Sequence, residues 1–119
     1  MVNFGTSYRY RAACAAVLAA AGQGEDAKAL PDKTVVGLRH QALRWLRADL
    51  ILSATAVQRE DASTKQFVRQ QLTHWQQNSD LASVRDKAAL ERLPEIERRE
   101  WRRLWDDVTA LLARAGPTP

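Results

Sequence analysis

Little in this chain serves covalent or metal chemistry. Its 119 residues hold one cysteine, Cys14, and two histidines, His40 and His74. A single cysteine excludes an internal disulfide framework. Four prolines and five glycines leave few loop-building residues. β-Branched residues are scattered, and no stretch alternates polar and apolar side chains with period two, so no strand pattern emerges. Long hydrophobic runs are missing as well. The apolar stretch Ala12–Ala21 is too short to span a membrane. It is also too alanine-rich to serve as a signal-peptide core. The expected location is cytoplasmic, with no membrane partner.

What is present favours helix. Hydrophobic residues make up 45% and charged residues 27% of the chain, a globular balance. Alanine, leucine, arginine, glutamine and glutamate dominate, and all are good helix formers. The length suits one domain. We therefore expect an all-α, compact helical bundle, residues 1–119 forming one domain with residues 1–6 and 117–119 as loose tails. The net charge of +4 allows acidic partners. From Arg85 to Arg103, however, seven basic residues alternate with five acidic ones, the pattern of a solvated helix surface.

Periodicity predicts four main helices. The first runs from about Ser7, as cap, to Ala21, with Gly22 and Gly24 ending it. The second starts after Asp32 as N-cap and reaches Val57 or Arg59. Leu38, Ala42, Trp45, Leu46, Leu50 and Val57 form its apolar stripe, with Arg39, Arg44 and Arg47 mostly off it. Ser63 with Gln66 reads as a capping box opening the third helix, which carries Val68, Leu72 and Trp75 and ends near Asn78. One or two short turns follow, capped by Asp80 and Asp86 and pinned by Leu81, Val84, Leu90 and Leu93. Pro94 suits the first position of the last helix, where Glu95 and Glu97 favour its N-terminal end. Trp101, Leu104, Trp105, Val108, Leu111, Leu112 and Ala115 make the clearest stripe in the chain, stopped by Gly116 and Pro117. These large residues are expected in the core, with Trp45 part-exposed.

The first helix is unusual. "SYRYRAACAAVLAAAGQG", residues 7–24, places seven alanines between Ala12 and Ala21. Such side chains cannot fill a core, but they let a neighbouring backbone come close. The tryptophans elsewhere supply the missing volume.

Two stretches carry a family resemblance. "YRYRAACAAVLAAAGQG" resembles the tyrosine-asparagine-alanine-alanine-cysteine helix of tetratricopeptide-type arrays. "LRHQALRWLRADL" and "LTHWQQNSDLASVRDKAALERLPEIERREWRRLWDDVTALLARAG" resemble the segment that follows such arrays in large planctomycete-type bacterial proteins, many of which begin with a serine/threonine kinase domain. The match runs from about Tyr8 to Gly116 and rests on "QALxWLRADL", "HWQQxxDLAxVRD" and "LPExERxxWxxLWxDVxALLxRA". It departs from the family where Arg11 follows Tyr10 in place of asparagine. The resemblance implies a tetratricopeptide-like helix pair at the N-terminus. No self-similarity at the repeat length of about 34 residues occurs, so the chain reads as the end of an array or an orphan descended from one.

No constellation dictates a reaction. "LRADL" lacks the histidine of a kinase catalytic loop, and Ala54 stands where its asparagine would be. His40, His74 and Cys14 fall on three helices with no close-spaced pair, so no metal ligand set is assigned. Cys14 in an alanine-rich face reads as an inert thiol. Glu95 with Arg99 and Glu100 with Arg103 read as pairs along one helix. No Glu-x-x-His pattern supports a carboxylate metal site.

The reading is a non-enzymatic protein–protein interaction module with no cofactor. Its candidate surface is Tyr8, Tyr10 and Ala12 on the first helix and Arg39, Arg44 and Arg47 on the second. With only six residues before Ser7, the outer side of the first helix is expected to lie uncovered, and self-association as a homodimer is one outcome. The alternative is a small basic nucleic-acid-binding protein using Arg39/Arg44/Arg47 or Arg98/Arg99/Arg102/Arg103. It is the less favoured, since Glu95, Glu97 and Glu100 would face phosphates. Calorimetric titration with magnesium and ATP is expected to give no saturable heat. Micromolar binding would refute the non-enzymatic reading.

Overall fold

The computed structural model describes residues 8–22, 31–58 and 61–116. These form helices α1 (Tyr8–Ala20), α2 (Asp32–Val57) and α3 (Ala62–Gln77), a 3-10 turn (Ser79–Leu81), the short helices α4 (Ala82–Arg85) and α5 (Lys87–Leu90), and α6 (Glu95–Arg114). The protein is an all-α bundle, and no strand occurs among the described residues. Its principal extents are 47 × 27 × 20 Å.

Helix ends follow local chemistry, with three corrections to the expected caps. Pro31, not Asp32, precedes the first turn of α2, in extended backbone (φ −58°, ψ 146°). Its carbonyl accepts from the Val35 amide at 3.0 Å, and Asp32 stands inside the first turn, where its charge suits the helix dipole. Asp61, not Ser63, opens α3. Its carboxylate accepts the Thr64 hydroxyl proton at 2.8 Å, a side-chain contact and not a bond to a first-turn amide. Asn78, not Asp80, caps the 3-10 turn, its side-chain oxygen accepting the Asp80 amide at 3.0 Å. Asp86 does precede α5, but Pro94 stands one residue before α6, as its N-cap, and not at the expected first helical position. Gly22 and Gly116 follow α1 and α6 with φ +78° and +94°, the left-handed geometry that glycine enters without steric cost. Ser7, Gly24, Arg59, Pro117 and the two tails lie outside the described residues.

Five polar contacts define how the helices run. Arg9 in the first turn of α1 pairs with Asp49 in the second half of α2 at 2.8 Å, and residues 21–31 join the end of α1 to the start of α2. The two form an antiparallel hairpin. Arg39 and Arg47 of α2 meet Glu97 and Asp107 of α6, so α2 and α6 run parallel. Arg69 of α3 donates to the Ala115 carbonyl beyond the end of α6 at 2.7 Å, while Gln76 reaches Thr109. That makes α3 and α6 antiparallel.

The buried side of α1 is Tyr10, Ala13, Cys14, Ala16 and Val17. Ala13 and, on α2, Ala42 are fully buried. Small side chains therefore lie in the core where α1 packs on α2. Trp75, Trp101, Leu46, Leu72, Leu81 and Leu104 are the largest fully buried side chains. Trp45 packs half-buried against the core, as expected. Trp105 and Leu112 depart from expectation, since both are only half-buried. Trp105 lies at the core's edge, where its indole N–H donates to the Val84 carbonyl at 2.9 Å and fastens α6 to α4. An indole with a polar end is suited to such a boundary.

Trp101→Ala is expected to cost about 3–5 kcal/mol, and Trp105→Ala less. Urea unfolding of both variants checks the order. Equal losses would place Trp105 in the core after all.

Candidate functional site

The six candidate surface residues divide once they are placed on the fold. Tyr8 is 89% exposed. Ala12 is half-buried and Ala15 exposed. Together with the half-buried Ala19 they line the side of α1 opposite its buried residues. Helical spacing of four, three and four keeps them on that side.

Tyr10 does not belong to this surface. It is 4% exposed, because two residues along a helix is a rotation of about 200°. Its ring stacks on Trp75 of α3, with centroids 5.5 Å apart and planes at 12°. His74 lies beside the same ring at 5.9 Å, tilted by 56°. The Asn78 side-chain amide donates to the Tyr10 phenol oxygen at 2.8 Å and approaches the Cys14 sulfur at 3.6 Å. Arg85 closes the end of α3, donating to the carbonyls of Trp75 (3.0 Å) and Asn78 (2.6 Å). Tyr10 is therefore a core residue that joins three elements.

Arg39 and Arg47 leave the candidate surface too. Arg39 makes a two-pronged pair with Glu97, at 2.6 and 3.0 Å, with both side chains about one-sixth exposed. This geometry favours arginine over lysine. Arg47 pairs with Asp107. Both arginines flank the α2 stripe on the side where α6 packs, so their charge is spent inside the protein. Arg44 alone of the three is exposed.

Sequence reasoning missed Glu97 and Asp107 as partners, and Asp49 as a buried anion held by Arg9. The separations are 58, 60 and 40 residues, and no local spacing encodes them. The expected Glu95–Arg99 pair is formed at 2.7 Å. No Glu100–Arg103 pair forms. Asp49, in the "LRADL" stretch, is 2% exposed. Among the described residues no three histidine, cysteine or carboxylate side chains come together as a metal site. No helix among them is long and apolar enough to cross a membrane.

No family model, curated protein or solved structure matches this chain. Among the described residues, the exposed side chains outside these contacts include those on the outer side of α1 and the outer side of α2.

Burial raises the Tyr10 phenol well above its ordinary value, only partly offset by the Asn78 hydrogen bond. It also raises the Cys14 thiol, with the Tyr10 hydrogen bond opposing. A group whose pKa is raised on folding contributes stability fully below its unfolded pKa and loses it as pH rises through the folded one. Stability is therefore expected to hold from neutral pH to about 8.5 and to fall as pH rises through the ordinary thiol and phenol range of about 8.5–10 and beyond. Urea midpoints across that range measure it. A Tyr10→Phe, Cys14→Ala variant is expected to flatten the alkaline fall. An unchanged fall would assign it to other groups.

Proposed function

We propose that the chain is a non-enzymatic protein–protein interaction module resembling the C-terminal part of a tetratricopeptide-repeat protein. The observation that carries this reading is the outer side of α1. Tyr8, Ala12, Ala15 and Ala19 form an apolar strip on a helix whose other side is fully engaged. In an array, a helix of this type packs on a neighbour at both faces. The small residues favour close approach by another helix, and Tyr8 offers a large side chain at one end. The partner is a protein, including a second copy of the chain as a homodimer. A cytoplasmic setting with no cofactor and no membrane contact fits the same reading.

The nucleic-acid alternative draws less support. Two of the three arginines it would use on α2 are paired with carboxylates of α6. On α6, Arg99 is paired with Glu95, and Glu100 and Asp106 are exposed among the remaining arginines.

Size-exclusion chromatography with light scattering tests the proposal. The parent chain is expected to gain mass with concentration, towards a dimer. A Tyr8→Glu, Ala12→Glu variant is expected to stay monomeric with unchanged helicity. A parent that remains strictly monomeric at high concentration would remove the outer side of α1 as a self-association surface.

A further inference from the structure

α2 is the longest helix, and α1, α3 and α6 cover three of its sides. No described element covers its fourth side. Lys33, Gly37, His40, Arg44, Ile51 and Thr55 follow at spacings of four, three, four, seven and four, which aligns them in one ridge, and all are exposed. Ile51 is 65% exposed and Leu52, beside the ridge, 40%.

Three features set this ridge apart. It carries no carboxylate, whereas the exposed side of α6 mixes both signs. Among the described residues Lys33, His40 and Arg44 have no ion-pair partner, while Arg39 and Arg47 on the adjacent side of the same helix do. The polar half of the ridge leads on to Ile51, with Leu52 exposed beside it and Thr55 one turn further.

We infer that the outer ridge of α2 docks an acidic amphipathic helix of a partner protein, its carboxylates over Lys33, His40 and Arg44 and its aliphatic side chains over Ile51 and Leu52. Charge complementarity selects the acidic partner, and the exposed Ile51 and Leu52 select a protein. Lys33 to Arg44 spans roughly 16 Å. That is too short and too sparsely charged for the roughly 6–10 phosphate contacts of firm duplex binding. An interfacial membrane helix needs a broad apolar face, and the apolar side of α2 is already buried. This inference rests on the reading of the chain as an interaction module but uses a different face. The Tyr8→Glu, Ala12→Glu variant therefore separates the two.

The probe is a synthetic amphipathic helix about 20 residues long, roughly 30 Å, with glutamates at its polar positions and leucines along one stripe. Fluorescence anisotropy compares it with the same peptide carrying lysine for glutamate, a DNA duplex, and phosphatidylserine vesicles. The acidic peptide is expected to bind in preference to all three. Arg44→Glu with Ile51→Asp is expected to weaken it by roughly tenfold or more, with helicity unchanged by circular dichroism, since both residues are exposed. The Tyr8→Glu, Ala12→Glu variant is expected to bind it as the parent does. Absence of binding, equal binding of the lysine peptide, tighter binding of DNA or vesicles, or insensitivity to the α2 substitutions would each overturn the inference. Loss of binding in the α1 variant alone would move the surface to α1.

Discussion

Tyr10 lying flat on Trp75 is the contact on which the rest of the arrangement depends. It brings the start of α1 onto the end of α3. The Asn78 amide holds the Tyr10 hydroxyl, and Asn78 also caps the 3-10 turn. Arg85 then binds the last carbonyls of α3, including that of Trp75 itself. One aromatic pair thus joins α1, α3 and the short-helix segment that leads to α6. The cost is visible, because the Trp75 indole N–H is buried without a hydrogen-bond partner among the described residues. Leaving such a donor unpaired costs about 1–3 kcal/mol, which the area of two packed rings offsets.

The second organising constraint is where the arginines go. Arg9, Arg39 and Arg47 each meet a carboxylate on another helix, and Arg69 and Arg85 meet carbonyls at helix ends. These contacts hold helix to helix at the margins of a core that alanine leaves thin. They differ in kind from Arg99 with Glu95, an exposed pair within one helix of the sort that adds little stability. Asp49 is the extreme case, a buried carboxylate facing a half-exposed arginine. Burying a charge this deeply is tolerable only with such pairing.

This division also leaves the surface asymmetric. Carboxylates of α6 neutralise the α2 arginines that face it, so the positive charge left on α2 is gathered on its exposed ridge. The outer side of α1, by contrast, is small and apolar.

The sequence by itself determined the helices and most of the core. The Trp101, Leu104, Val108 and Leu111 stripe and the Val68, Leu72, Trp75 stripe were legible because burial on a helix repeats every three to four residues, and all seven are buried. Gly22 and Gly116 marked helix ends because their backbone conformation is a local property. Tertiary structure alone decided which candidates remained at the surface. Tyr8 and Tyr10 look alike in sequence, and a rotation about one short helix sends the first to solvent and the second onto Trp75. Arg39, Arg44 and Arg47 likewise read as one face until α6, some 60 residues away, claimed two of them. Periodicity fixes the face a residue occupies on its own helix, but the charge or ring that meets that face comes from a helix distant in the chain, and no local spacing records it.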